Sequence, residues 1–159
     1  MKAIETLNIQ GQLTLQKRSG NGTLLEEIKA KNSIVLTGRE LVAKLFMPST
    51  QTTITPVSHV GIGTGNAPVN FSDARLQQEI FRKELNETQR LEIVEIEGIQ
   101  RQKVTLSADL EAEEGNGPLT EAALFNSGDE KALMYNRVTF PVINKSSNFS
   151  LTLIWEIIF

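Results

Sequence analysis

The chain of 159 residues has no cysteine, one histidine, one tryptophan and one tyrosine. A disulfide framework is therefore excluded, and a metal staple has no obvious ligands; at this length neither is needed, since a domain of this size buries about two-thirds of its unfolded surface. Positive charge is also short: 16 Lys and Arg stand against 19 Asp and Glu, for a net charge of −3. The basic residues are scattered, and Lys17-Arg18 and Arg82-Lys83 are no more than pairs. Phosphate affinity needs clustered cations, so no nucleic acid partner is expected. No run approaches the ~20 apolar residues of a membrane span. Met1-Lys2-Ala3-Ile4-Glu5 turns acidic and polar at once, unlike a signal peptide. The expectation is a soluble protein made inside a cell, with one domain over 1–159 and no cofactor.

What the sequence does have is short alternating apolar runs. In the C-terminal segment Phe149, Leu151, Leu153, Trp155, Ile157 and Phe159 fall on alternate residues and share one face of a strand. Ile154 and Ile158 make the other face partly apolar, so this strand should be central or covered. In 103–112, Val104, Leu106, Ala108, Leu110 and Ala112 alternate with polar residues, as in a strand with one face in the core. Residues 90–96 read as a further strand. Leu7 to Lys17, Ser19-Gly20-Asn21-Gly22 and Thr23 to Ile28 read as a β-hairpin.

Two helices are expected. Thr37 stands as an N-cap with Glu40 as its capping-box partner, Leu41, Val42, Leu45 and Phe46 share a face, and Pro48 ends the run. Ser72 or Asp73 caps a second through Leu76, Ile80 and Phe81, with Glu79 pairing Arg82 or Arg75 along its surface. Thr52 to Ile62 reads as extended, and Gly61, Gly63 and Gly65 break it into a turn. About seven to nine strands with one or two short inserted helices define a mainly β fold, an antiparallel β-sandwich. Residues 1–30 read as an N-terminal hairpin arm used for docking.

No catalytic or metal set stands out. Val60-Gly61-Ile62-Gly63-Thr64-Gly65 lacks the spacing of a dinucleotide fingerprint and the ending of a phosphate-binding loop. Asp109 and Glu111 lie on one strand face about 6.6 to 6.8 Å apart, on a face expected to be solvated. Glu113 to Asn116 offers clustered oxygens of the kind calcium takes, without a regular ligand spacing. His59 has no triad partners in its vicinity. Glu121, within Leu119-Thr120-Glu121-Ala122-Ala123-Leu124-Phe125, is different, because an unpaired carboxylate among apolar residues is costly. It either faces water or pairs with Arg82 or Arg137, and in both cases its role is architectural; coupling to Arg137 is the expectation, since both residues lie next to turns and lack an opposite charge nearby in sequence.

Several segments together resemble a family of small tailed-phage virion proteins, which occur alone or as attachment domains of tail fibres. They are Lys31 to Phe46, Val60 to Gly65, Asp73 to Glu79 closed by Arg82, Thr120-Glu121-Ala122-Ala123-Leu124-Phe125-Asn126, Met134 to Phe140, Pro141-Val142-Ile143-Asn144-Lys145 and Leu151 to Phe159. The resemblance spans residues 30 to 159. It implies a structural protein of the tail, baseplate or fibre-attachment region, made in the host cytoplasm and assembled with other virion proteins as a homo-oligomer. A head or neck decoration protein and a carbohydrate-binding module touching the host surface are the alternatives. Aromatic residues usually line carbohydrate sites, yet Trp155 and Tyr135 fall in core-forming strands. Since the sequence ends at Phe159 without a receptor-binding tip, an adaptor or ring component is expected over a complete fibre.

Overall fold

Leu151, Leu153, Trp155 and Ile157 are each at most 4% exposed, and the strand that carries them sits in the middle of a sheet. The computed structural model describes residues 9–48 and 54–159. Within these run β1 (Gln10–Arg18), β2 (Leu24–Lys31), β3 (Ser33–Ile34), α1 (Leu36–Lys44), β4 (His59–Gly63) and β5 (Glu79–Glu84). They are followed by β6 (Arg90–Ile96), β7 (Ile99–Leu110), β8 (Gly117–Phe125), β9 (Asn136–Lys145) and β10 (Ser150–Ile158). One five-stranded sheet has the order β2-β1-β10-β7-β6 and the other β3-β9-β8-β4-β5, with every neighbouring pair antiparallel.

The main core lies between the sheets. Leu13, Leu15, Leu106, Leu153 and Trp155 from the first meet Val60, Ile62, Leu119, Leu124 and Val138 from the second. The expected β-sandwich is the fold. Its alternation continues into the outer face of the first sheet, where Lys103 bridges Glu92 at 3.1 Å and Glu156 at 3.4 Å. The hydrogen bond to Glu92 outweighs what desolvation costs the Lys103 ammonium, and its pKa is raised above the usual lysine value.

Four expectations change. Residues 10–31 form no projecting arm: β1 lies between β2 and β10, and Leu13 and Leu15 are at most 1% exposed. The hairpin completes the sheet because β10 would otherwise lose a partner along its whole length. Thr37 does not cap α1: Val35 is the N-cap, without a side-chain cap, and the Thr37 hydroxyl donates to the Met134 carbonyl at 2.6 Å. Leu36 N–H is met by the Phe71 carbonyl at 2.8 Å, so a tertiary contact replaces the capping box. The shared apolar face breaks at the helix end, where Leu41 is buried but Leu45 and Phe46 are 67% and 84% exposed. Residues 72–81 form no helix: 72–78 are turn and loop and 79–81 open β5, whose hydrogen bonds go to β4. The strand starts expected at Leu7 and Thr52 lie outside the described residues.

Candidate functional site

Two bulges create the most heavily wired region. In β8 the pairing with β9 shifts between Leu119 and Glu121, so Leu119, Ala122 and Leu124 enter the main core. Glu121, Ala123 and Phe125 turn to the opposite face; a bulge re-aims side chains in this way. β9 accommodates the same shift at Pro141-Val142, where Val142 is exposed; proline in a sheet is at home at such a bulge. The outer face of the second sheet is then closed by residues 64–78. A small second core forms beneath them from Val35, Leu76, Ala123, Phe125 and Met134.

Glu121 is 0% and Arg137 2% exposed, and Arg137 Nε donates to Glu121 Oε2 at 2.8 Å. The carboxylate also accepts the backbone N–H of Gly65 at 3.0 Å, Gln77 at 3.0 Å and Gln78 at 2.7 Å. The guanidinium in turn donates to Asp73 Oδ2 at 3.0 Å, to the Ala67 carbonyl at 3.1 Å and to the Pro68 carbonyl at 3.4 Å. One buried ion pair thus grips both ends of the 64–78 segment through the acid and its middle through the base. Further bonds from the Ala67 N–H to Gln77 Oε1 and from the Thr120 hydroxyl to the Gly65 carbonyl tie the segment to itself and to β8. With every charge hydrogen-bonded, the pair meets the condition under which buried ions are tolerated.

The glycines acquire a different role from the expected turn. Gly61 and Gly63 lie inside β4 with ordinary backbone angles, since the positive-φ glycines are Gly22, Gly98, Gly115 and Gly117. Spaced by two, Gly61 and Gly63 open one face of the strand. A Cβ on Gly61 would stand 2.7 Å from the Phe125 ring. One on Gly63 would stand 2.6 Å from Glu121 Oε1, and one on Gly65 2.5 Å from the same oxygen. The glycines make room for the aromatic ring and the carboxylate.

Arg82 is not the partner of Glu121. The bulge in β5 leaves Ile80 unpaired and brings Glu79 and Arg82 to one face, where two bonds of 2.7 Å join them. The guanidinium lies 3.8 Å over the Phe125 ring and donates to the Asp129 carbonyl at 2.9 Å. Trp155 is fully buried in the main core, whereas Phe159 is 38% exposed and is held through two backbone bonds to Gln102.

The remaining candidates resolve into local contacts. Asp109 accepts from Thr152 Oγ1 at 2.6 Å and Asn86 Nδ2 at 2.9 Å, and Glu111 lies beyond the end of β7, so the two no longer share a strand. The oxygens of the 111–116 turn converge on a side chain of the protein: Lys145 Nζ donates to the Glu111 and Ala112 carbonyls and to Asn116 Oδ1 at 2.9 to 3.1 Å. Burial pulls the Lys145 pKa below the usual lysine value, opposed by Glu113, Glu114 and Glu111. Glu114 beside it is lowered, chiefly by its hydrogen bond from Lys83. His59 Nδ1 lies 2.9 Å from Ser58 Oγ, but Glu84 is 4.0 Å from Nε2 and 83% exposed, too distant to orient the ring. Among the described residues no group of three metal-ligating side chains forms, and no helix is long and apolar enough to cross a membrane.

Sequence reasoning missed Asp73, Gln77, Gln78 and Lys145 as members of these networks. The glycine spacing was the available signal, because alternate glycines in a strand indicate that something bulky crosses one face. No family model, curated protein or solved structure matches the chain.

Proposed function

We propose that this chain is a structural virion protein of a tailed bacteriophage, acting in the tail, baseplate or fibre-attachment region by assembling with other subunits. The observation that carries the reading is where its most characteristic residues are spent. Glu121, Arg137 and Lys145, from the segments that resemble the virion family, are engaged in holding backbone segments together, and Gly61 and Gly63 leave room for the side chains packed there. A protein that works by geometry needs rigid loops on a sandwich, and the clamp on 64–78 supplies one. The carbohydrate-binding alternative is disfavoured by the burial of the one tryptophan and one tyrosine, since Trp155 is 0% and Tyr135 4% exposed.

The test is mass spectrometry of gradient-purified particles from a host infected with the source phage. The reading expects the chain at a fixed copy number relative to the major tail protein. Its absence from particles, with the chain present in the infected cell, would overturn it.

A further inference from the structure

We infer that the β2 edge of one copy pairs in parallel with the β6 edge of the next, joining copies head to tail through the first sheet. The inference rests on the reading that the chain acts by assembly and names the surface that would do it. Both strands end the sheet, each with one partner strand among the described residues. Four antiparallel steps separate them, so β2 and β6 run in the same direction. A second copy placed beside the first in the same orientation therefore presents β2 parallel to β6, with its core-side face on the core side.

The faces then decide the register. On β6, Leu91 sits opposite Val104 on the core side, together with Ile93, and both are exposed, at 69% and 65%. Arg90 and Glu92 point outward. On β2, Ile28 and Ala30 lie opposite Leu15 and Leu13 on the core side, and Glu27 and Lys29 point outward. Aligning Leu91 with Ile28 of the second copy sets Ile93 beside Ala30, Arg90 beside Glu27 and Glu92 beside Lys29. Apolar meets apolar on one face and opposite charges meet on the other, which favours the register. Pairing two β6 edges about a two-fold axis also opposes Arg90 to Glu92, and pairing two β2 edges opposes Glu27 to Lys29, but each such pair leaves the other edge open. The head-to-tail pairing closes both edges, and such an interface grows into a ring or a filament according to its rotation.

Light scattering on the full chain tests this with charge-reversed edges. The wild type is expected to self-associate. E27K/K29E and R90E/E92K are each expected to remain folded but to weaken self-association by more than about tenfold. Mixing the two variants, or combining all four changes in one chain, restores complementary edges and is expected to restore assembly. Association that survives R90E/E92K alone would overturn the proposal, since a two-fold β6 pair stays complementary after that swap, and the assembly reading would stand with another surface. Association unaffected by either pair of changes would overturn it likewise. A wild type that stays monomeric at all concentrations would overturn the proposal while leaving the particle test of the virion reading independent.

Discussion

The Glu121 carboxylate occupies the space that side chains on Gly63 and Gly65 would fill, with its Oε1 2.6 Å and 2.5 Å from where their Cβ atoms would stand. Glycine is required here for clearance, since Gly63 has no positive φ. Gly63→Ala would press on both this carboxylate and the Gln78 backbone carbonyl, and is expected to loosen the carboxylate from its three N–H donors and cost about 2–4 kcal/mol, the range for overpacking combined with a strained buried charge network. Gly20→Ala is the control, with nothing within 4 Å of its Cβ position. Urea denaturation of both variants checks this; equal midpoints would mean the clearance is not needed.

Tyr135 makes a separate pH prediction. Burial pushes its phenol up from 10.0 to about 12, against a smaller opposing effect of Arg39. A raised folded-state value means that the unfolded chain ionises first. The stability this group contributes is complete below pH 10 and is lost as pH rises from 10 to 12. The full loss is about 2–3 kcal/mol from the size of the shift. Because the chain has one tyrosine, phenolate absorbance reads it directly. Ionisation is expected near 12 in the folded protein, and Tyr135→Phe should remove this part of the alkaline loss of stability. Titration near 10 with the fold intact would contradict the burial.

Removing either terminal segment of the sequence should abolish folding. β10 lies between β1 and β7 and buries Leu151, Leu153, Trp155 and Ile157, each worth roughly 1.5–3 kcal/mol. Their sum is comparable to the whole stability of a domain. Deleting residues 151–159 is expected to give insoluble protein. Deleting residues 1–31 should do the same, because Leu13 and Leu15 leave the core and β10 loses its partner. A soluble, cooperatively melting product of either deletion would show that the sandwich closes without that strand.

Much of the fold was legible in the sequence because exposure follows period two. Arg90 to Ile96 matches β6 at both ends, and the apolar set from Leu151 to Ile157 is the buried set of β10. The misplaced elements share a cause. Residues 72–81 carry helix-compatible spacing, but the bulge at Ile80 mimics it by bringing Glu79 and Arg82 together across three positions of a strand. Thr37 resembled a cap because local chemistry cannot reveal that carbonyls of Met134 and Phe71, far away in sequence, meet the helix start. Arg137 was legible as the partner of Glu121, because both lie beside turns in the same region and lack an opposite charge nearby in sequence, but the way the carboxylate is aimed was not. That aim depends on the shift between Leu119 and Glu121, which no alternation pattern announces.

A double-mutant cycle on Glu121 and Arg137 tests most directly whether one buried pair holds the 64–78 segment to the sandwich. Glu121→Ala and Arg137→Ala are each expected to cost about 3–5 kcal/mol, since each leaves the other charge buried alone. The double variant should cost well below the sum, with a coupling energy above about 1 kcal/mol. In both single variants the amides of Gly65, Gln77 and Gln78 should exchange hydrogen faster, where the less stable variant still folds. Additive losses below about half a kcal/mol, with those amides still protected, would contradict the account.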